Sequence, residues 1–109
     1  MDKYEALTEA LKRAATAARE AVAINPEDGG TCNFDAPALA LPRWNEELTI
    51  AAARAAGVGC FIWKLYREKL FVFPLCIGGQ GNSRTRAAEA AEKSLRAEGY
   101  AATMYYQMD

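Results

Sequence analysis

The segment that most constrains this chain is Val58 to Ile77, where two runs rich in β-branched and aromatic residues, Val58 to Tyr66 and Lys69 to Ile77, are separated by Arg67-Glu68. That spacing predicts two antiparallel strands joined by a tight turn. Phe61, Trp63 and Leu65 share one parity and Cys60, Ile62 and Tyr66 the other, so both faces of the hairpin are apolar. A sheet with one solvated face would instead alternate with polar residues. The hairpin therefore asks for cover on two sides. Pro74 has no N–H to give to a ladder, which predicts that the second strand is an edge strand or is bulged near that point.

Helical periods flank the hairpin. From Asp2 to about Ala23, residues Tyr4, Leu7, Leu11, Ala14, Ala15, Ala18 and Val22 form one apolar stripe at helical spacing, with Asp2 as the cap and Asn25-Pro26 as the stop. Thr31 to Asp35 reads as a short strand after a turn-rich stretch. Pro37 and Pro42 make Ala36 to Leu41 extended or irregular, until Pro42 or Asn45 opens a second helix that Gly57 ends. Asn82 or Ser83 caps a third helix running to about Glu98, with Gly99 past its end, and Tyr100 to Met108 alternates as a last strand. The order α-β-α-β-β-α-β predicts a two-layer α+β fold: about four mostly antiparallel strands with three helices on one face. The second face is then left to a homodimer seam or an apolar ligand groove.

At 109 residues the chain suits one domain, 1–109, which can bury roughly 65% of its extended surface without disulfide or metal staples. It has no histidine, which excludes Ser-His-Asp and Cys-His catalysis and every His-ligated metal site. Cys32, Cys60 and Cys76 are odd in number and widely spaced, so they read as reduced thiols. No apolar run is long enough to span a bilayer and no signal peptide opens the chain, so we expect a soluble cytoplasmic protein. Thirteen basic residues stand against fourteen acidic ones, a net charge of −1, which argues against nucleic-acid or membrane binding. Any anion site must be local.

One such site is Gly78-Gly79-Gln80-Gly81-Asn82-Ser83-Arg84-Thr85-Arg86. Glycines let the backbone approach an anion closely, the first amides of a helix point outward at the positive end of its dipole, and Ser83, Arg84, Thr85 and Arg86 add donors. Arginines in a first turn oppose the dipole, so their placement favours an anion between them. The segment matches neither the Walker A loop nor the dinucleotide fingerprint. The alternative is that the glycines simply turn the chain and that Arg84 and Arg86 pair with Glu89 or the acidic first helix. Asn33 and Asp35, two apart in the first strand, suit a base edge or ribose hydroxyls, or else tie down a loop and cap the second helix. Trp63 and Tyr105 are the aromatic candidates for stacking a base, and Trp44 reads as a staple over the sheet end.

Three blocks occur together: Gly30-Thr31-Cys32-Asn33-Phe34-Asp35, then Gly79-Gln80-Gly81-Asn82 with Arg84-Thr85-Arg86 and Ala88-Glu89, and Gly99-Tyr100 with Tyr105-Tyr106-Gln107-Met108-Asp109. They resemble a group of small phage and prophage proteins without an assigned activity. In size and residue types the chain is similar to phage sponges that sequester cyclic nucleotide or cyclic ADP-ribose signals of bacterial immunity. The resemblance implies a non-enzymatic protein of the bacterial host cytoplasm. It would hold a small phosphorylated nucleotide at a homodimer or higher oligomer seam, without cofactor, metal or catalytic residue. Two other expectations stay open: a protein-binding inhibitor that uses the second sheet face, and a metal-assisted phosphodiesterase with Asp35 as ligand and Arg84 stabilising charge.

Overall fold

The computed structural model describes residues 2–24, 33–65, 68–75 and 82–108. Its elements are α1 (Lys3–Ile24), β1 (Asn33–Leu39), α2 (Glu46–Ala55), β2 (Phe61–Leu65), β3 (Glu68–Val72), α3 (Asn82–Ala97) and β4 (Ala102–Met108). The expected α+β order holds. Every strand pairing is antiparallel, and the strands lie in the order β2-β3-β1-β4. From β1 onward this is the split β-α-β arrangement, the ferredoxin-like connectivity, with α1 added in front of it.

Local chemistry sets the helix ends. The Asp2 carboxylate accepts from the Glu5 amide at 2.8 Å and starts α1. Of the two proposed starts for α2, Asn45 is the cap, and its side chain accepts from Leu48 N–H at 2.9 Å. Gly57 (φ +80°) and Gly99 (φ +96°) follow α2 and α3 in the left-handed region, where a Cβ would add strain.

The helices cover one face of the sheet. The stripe of α1 (Leu7, Ala10, Leu11, Ala14, Ala15 and Ala18) is buried with Ala87, Ala91 and Leu95 of α3 against Leu39, Phe71 and Phe73 of the sheet. Alanines on both helices let α1 lie close along α3, while the bulky residues supply most of the apolar area. Each fully buried Leu or Phe here stabilises by about 1.5–3 kcal/mol relative to exposure. Thr8 of α1 donates through Oγ1 to the Ala52 carbonyl of α2 at 3.0 Å, and Arg13 forms an ion pair with Glu98 just past α3.

The prolines resolve in two ways. Of the two alternatives for the segment from Ala36, extended is the one observed, since β1 runs through Pro37 to Leu39 at the centre of the sheet. The Pro37 carbonyl accepts from Phe73 N–H at 3.0 Å, so the missing N–H of Pro37 faces β3. The β1–β3 register stops next door, at Ala38 opposite Val72, and the imino ring therefore removes one bond at the end of a ladder. β3, in turn, is an interior strand and not an edge, because it ends at Val72 before Pro74 is reached. The Pro74 carbonyl accepts from Gly59 N–H at 2.9 Å, and a Cβ at Gly59 would meet the Pro74 ring at 3.4 Å, an ordinary contact.

Candidate functional site

The face away from the helices carries its own apolar cluster. Ala36, Ala38 and Val72 are fully buried, with Phe61, Trp63, Leu70 and Tyr105 half-buried over them. The small residues belong to the central strands β1 and β3, and the three rings come from the outer strands β2 and β4. Alanine at positions 36 and 38 leaves a trough into which the rings lean from both sides. Tyr105 meets Phe61 edge-on at 5.7 Å and Trp63 at 6.0 Å, with interplanar angles of 82° and 66°. Edge-to-face contact of this kind is favoured by the ring quadrupole. The rings so cover the floor that, among the described residues, Leu48 on α2 is the large hydrophobic standing exposed. Thr103, opposite Ala38, and Glu68 are exposed and border the cluster.

A sheet that reads nucleic acid offers aromatic rings on its central strands, flat to the solvent, for bases to stack on. Here the central positions are aliphatic and the rings are turned on edge against one another. That geometry suits apolar contact with a protein better than stacking.

The expected nucleotide site is only partly within the described residues. Gly79, Gln80 and Gly81 lie outside them, and for Asn82, Ser83, Arg84 and Thr85 the backbone alone is described, as the opening of α3. Arg86 is half-buried and lines a shallow groove of about 300 Å³ with Glu89, Ala90 and Lys93 of α3 and Ala21 of α1. Asn33 and Asp35 stand in β1 opposite Met108 and Tyr106, at positions alternating with Ala36, and their side chains lie outside the description. The structure thus brings Trp63 and Tyr105 together. Within one chain it places them on the sheet face opposite the helix that carries Arg86.

Phe61 joins the cluster on the face its shared parity with Trp63 predicts, whereas Leu70 and the alanine floor are additions that the sequence reading does not include. The signal was present in the alternation of Ala36 and Ala38, which becomes visible once the strand is read through Pro37. Trp44 packs against the core cluster that contains Leu39, Leu41 and Phe71. It packs edge-on against Tyr4 at 5.1 Å, with Lys3 Nζ 4.8 Å from its ring, and the Tyr4 hydroxyl accepts from Asn45 N–H, so it joins α1 to the start of α2.

A second concavity, about 520 Å³, opens where β1 leaves the sheet, between Ala40, Leu41 and Pro42 and the Glu68, Lys69 and Leu70 segment of β3. The Lys69 ammonium is held by Glu46 at 3.1 Å and lies over the Phe71 ring. Beside the cleft, Arg43 has φ +69°, the third residue of a turn closed by Trp44 N–H on the Leu41 carbonyl. Among the described residues no cluster of three His, Cys, Asp or Glu could hold a metal ion. The Cys60 thiol is half-buried and burial pushes its pKa up to about 11, which is the opposite of what a nucleophile needs. No described helix is long and apolar enough to cross a membrane. No family model, curated protein or solved structure matches this chain.

Proposed function

We propose that this chain is a non-enzymatic binding protein that engages a protein partner through the aromatic face of its sheet. The observation that carries the reading is the Phe61, Trp63, Leu70 and Tyr105 cluster, a rigid and partly exposed apolar surface on the side no described helix covers. Interlocked rings lose little side-chain freedom on binding, and such anchors surrounded by polar residues such as Thr103 and Glu68 are the usual core of a protein interface. In the phage setting that the sequence blocks suggest, the partner is a host protein that is blocked by occupation.

A photo-crosslinking residue at Thr103 tests this, with the same residue at Arg54 of α2 as the control on the helical side. In bacterial extract we expect a discrete crosslinked protein from position 103, lost when Leu70→Asp is added, and none from position 54. Equal crosslinking from both positions, or none, overturns the reading.

A second reading, sequestration of a phosphorylated nucleotide without turnover, is favoured by α3, whose first turn has no acidic residue. It is a 16-residue helix with Arg86 near its start. Inorganic phosphate and cyclic nucleotides should then raise the melting temperature. At a thousandfold excess over Kd the gain is about 4 kcal/mol, well over 10 °C for a domain near this size. An unmoved transition with all of them removes this reading.

A further inference from the structure

We propose that β4 pairs edge to edge with β4 of a second copy, joining two sheets across a twofold axis centred near Tyr105. This goes beyond the reading above, since it uses the strand's edge and not the sheet's face. β4 is an outer strand, and no described strand lies beyond it. Ala40 N–H donates to the Ala101 carbonyl at 3.2 Å, and antiparallel pairs alternate, so Thr103, Tyr105 and Gln107 exchange backbone bonds with β1. The N–H and C=O groups of Met104, Tyr106 and Met108 therefore point away from the sheet.

Exposed edges of this kind are normally blunted by charge, proline or brevity. β4 has none of these over its seven residues, Ala-Thr-Met-Tyr-Tyr-Gln-Met. β2, the other outer strand, has five residues and an exposed lysine at position 64. In so short a strand a twofold pairing keeps the two copies of Lys64 close to the axis and to each other, so they would repel where an uncharged strand does not. With 13 basic and 14 acidic residues the net charge is only −1, so the whole chain adds little repulsion between copies. Pairing about Tyr105 sets Met104 opposite Tyr106 of the second copy, both with outward backbone groups, so the hydrogen bonds are geometrically satisfied. It also continues the row of rings from Phe61 through Trp63 and Tyr105 into the partner's sheet.

The test is the mass in solution by light scattering together with amide hydrogen exchange along β4. We expect twice 11.9 kDa, with the Met104 and Tyr106 amides exchanging as slowly as those of Thr103 and Tyr105. Met104→Pro removes an outward N–H and no intrachain ladder bond, so it should yield a folded monomer by circular dichroism and scattering. A wild-type monomer at millimolar concentration overturns the proposal, as does a dimer with fast Met104 and Tyr106 amides, or a folded Met104→Pro that stays dimeric. Should Met104→Pro unfold, the exchange pattern of the wild-type chain decides alone. In this register Thr103 lies opposite Gln107 of the second copy, so a Thr103 crosslink to the chain itself reports the edge and a crosslink to a different protein reports the face, which keeps the two proposals distinguishable.

Discussion

Trp63 of β2 and Tyr105 of β4 meet with ring centroids 6.0 Å apart, although two strands lie between them. Three strand spacings separate their backbones by roughly 14 Å, so the contact exists only because both side chains reach inward over small residues. We predict that Trp63→Ala and Tyr105→Ala each destabilise by about 2–3 kcal/mol, and that a double-mutant cycle in urea returns a coupling of about 0.5–1.5 kcal/mol. Strict additivity would show that the contact carries no energy.

The alanine floor should be as sensitive to addition as the rings are to removal. Ala38 is fully buried beneath them, and Ala38→Leu would fill the space the rings use, at a cost of about 1–3 kcal/mol. In a Trp44→Phe background the emission of Trp63 should also shift to the red. An unchanged urea midpoint and an unchanged spectrum would mean the trough has room to spare.

Much of this was legible in the chain and some was not, for identifiable reasons. The caps at Asp2 and Asn45, the glycines at 57 and 99 and the stripe of α1 are local signals, and each acts where the residue type requires. Pro37 leaves its segment open between extended and irregular because a proline's tolerance depends on which side of the strand its absent N–H faces, and that is set by a partner strand distant in sequence. Pro74 misleads for a related reason, since the strand ends before it. The parity of Phe61 and Trp63 against Cys60 and Ile62 correctly indicates two apolar faces. Their closure by Tyr105 depends on the strand order, which periodicity does not reveal.

Arg43 occupies a turn position that glycine would fill at less steric cost, with φ +69°. A side chain in the left-handed region costs about 1–2 kcal/mol, and glycine's extra freedom in the unfolded chain returns about 0.5–1 of it. Arg43→Gly should therefore stabilise by about 0.5–1 kcal/mol in denaturant titration, and Arg43→Val should destabilise. A loss of stability in Arg43→Gly would reveal a favourable contact of the guanidinium.

Alkaline stability should report the buried thiol. Burial raises Cys60 from 9.0 to about 11, so the folded chain holds this proton more tightly than the unfolded one. Its contribution is complete below about pH 9 and is lost as pH rises through 11. Tyr100, raised by burial and by Glu98 against the opposing Arg13, acts in the same sense from its ordinary value of 10 upward. With Cys32 and Cys76 replaced by serine, Cys60→Ala should make the decline between pH 9 and 11 shallower. An equally steep decline would assign it to other groups.

The packing of α1 along α3 has a consequence for biosynthesis. The hydrophobic stripe of α1 emerges from the ribosome before β1, α2, β2 and β3, and its main partner emerges only after all of them. At translation speeds of about 5–20 residues per second, that stripe waits several seconds for α3. During this interval the nascent chain presents Leu7 and Leu11 to whatever is nearby, which makes it a client for holding chaperones. Slowing elongation between β3 and α3 should lower the yield of native protein even though no residue has changed.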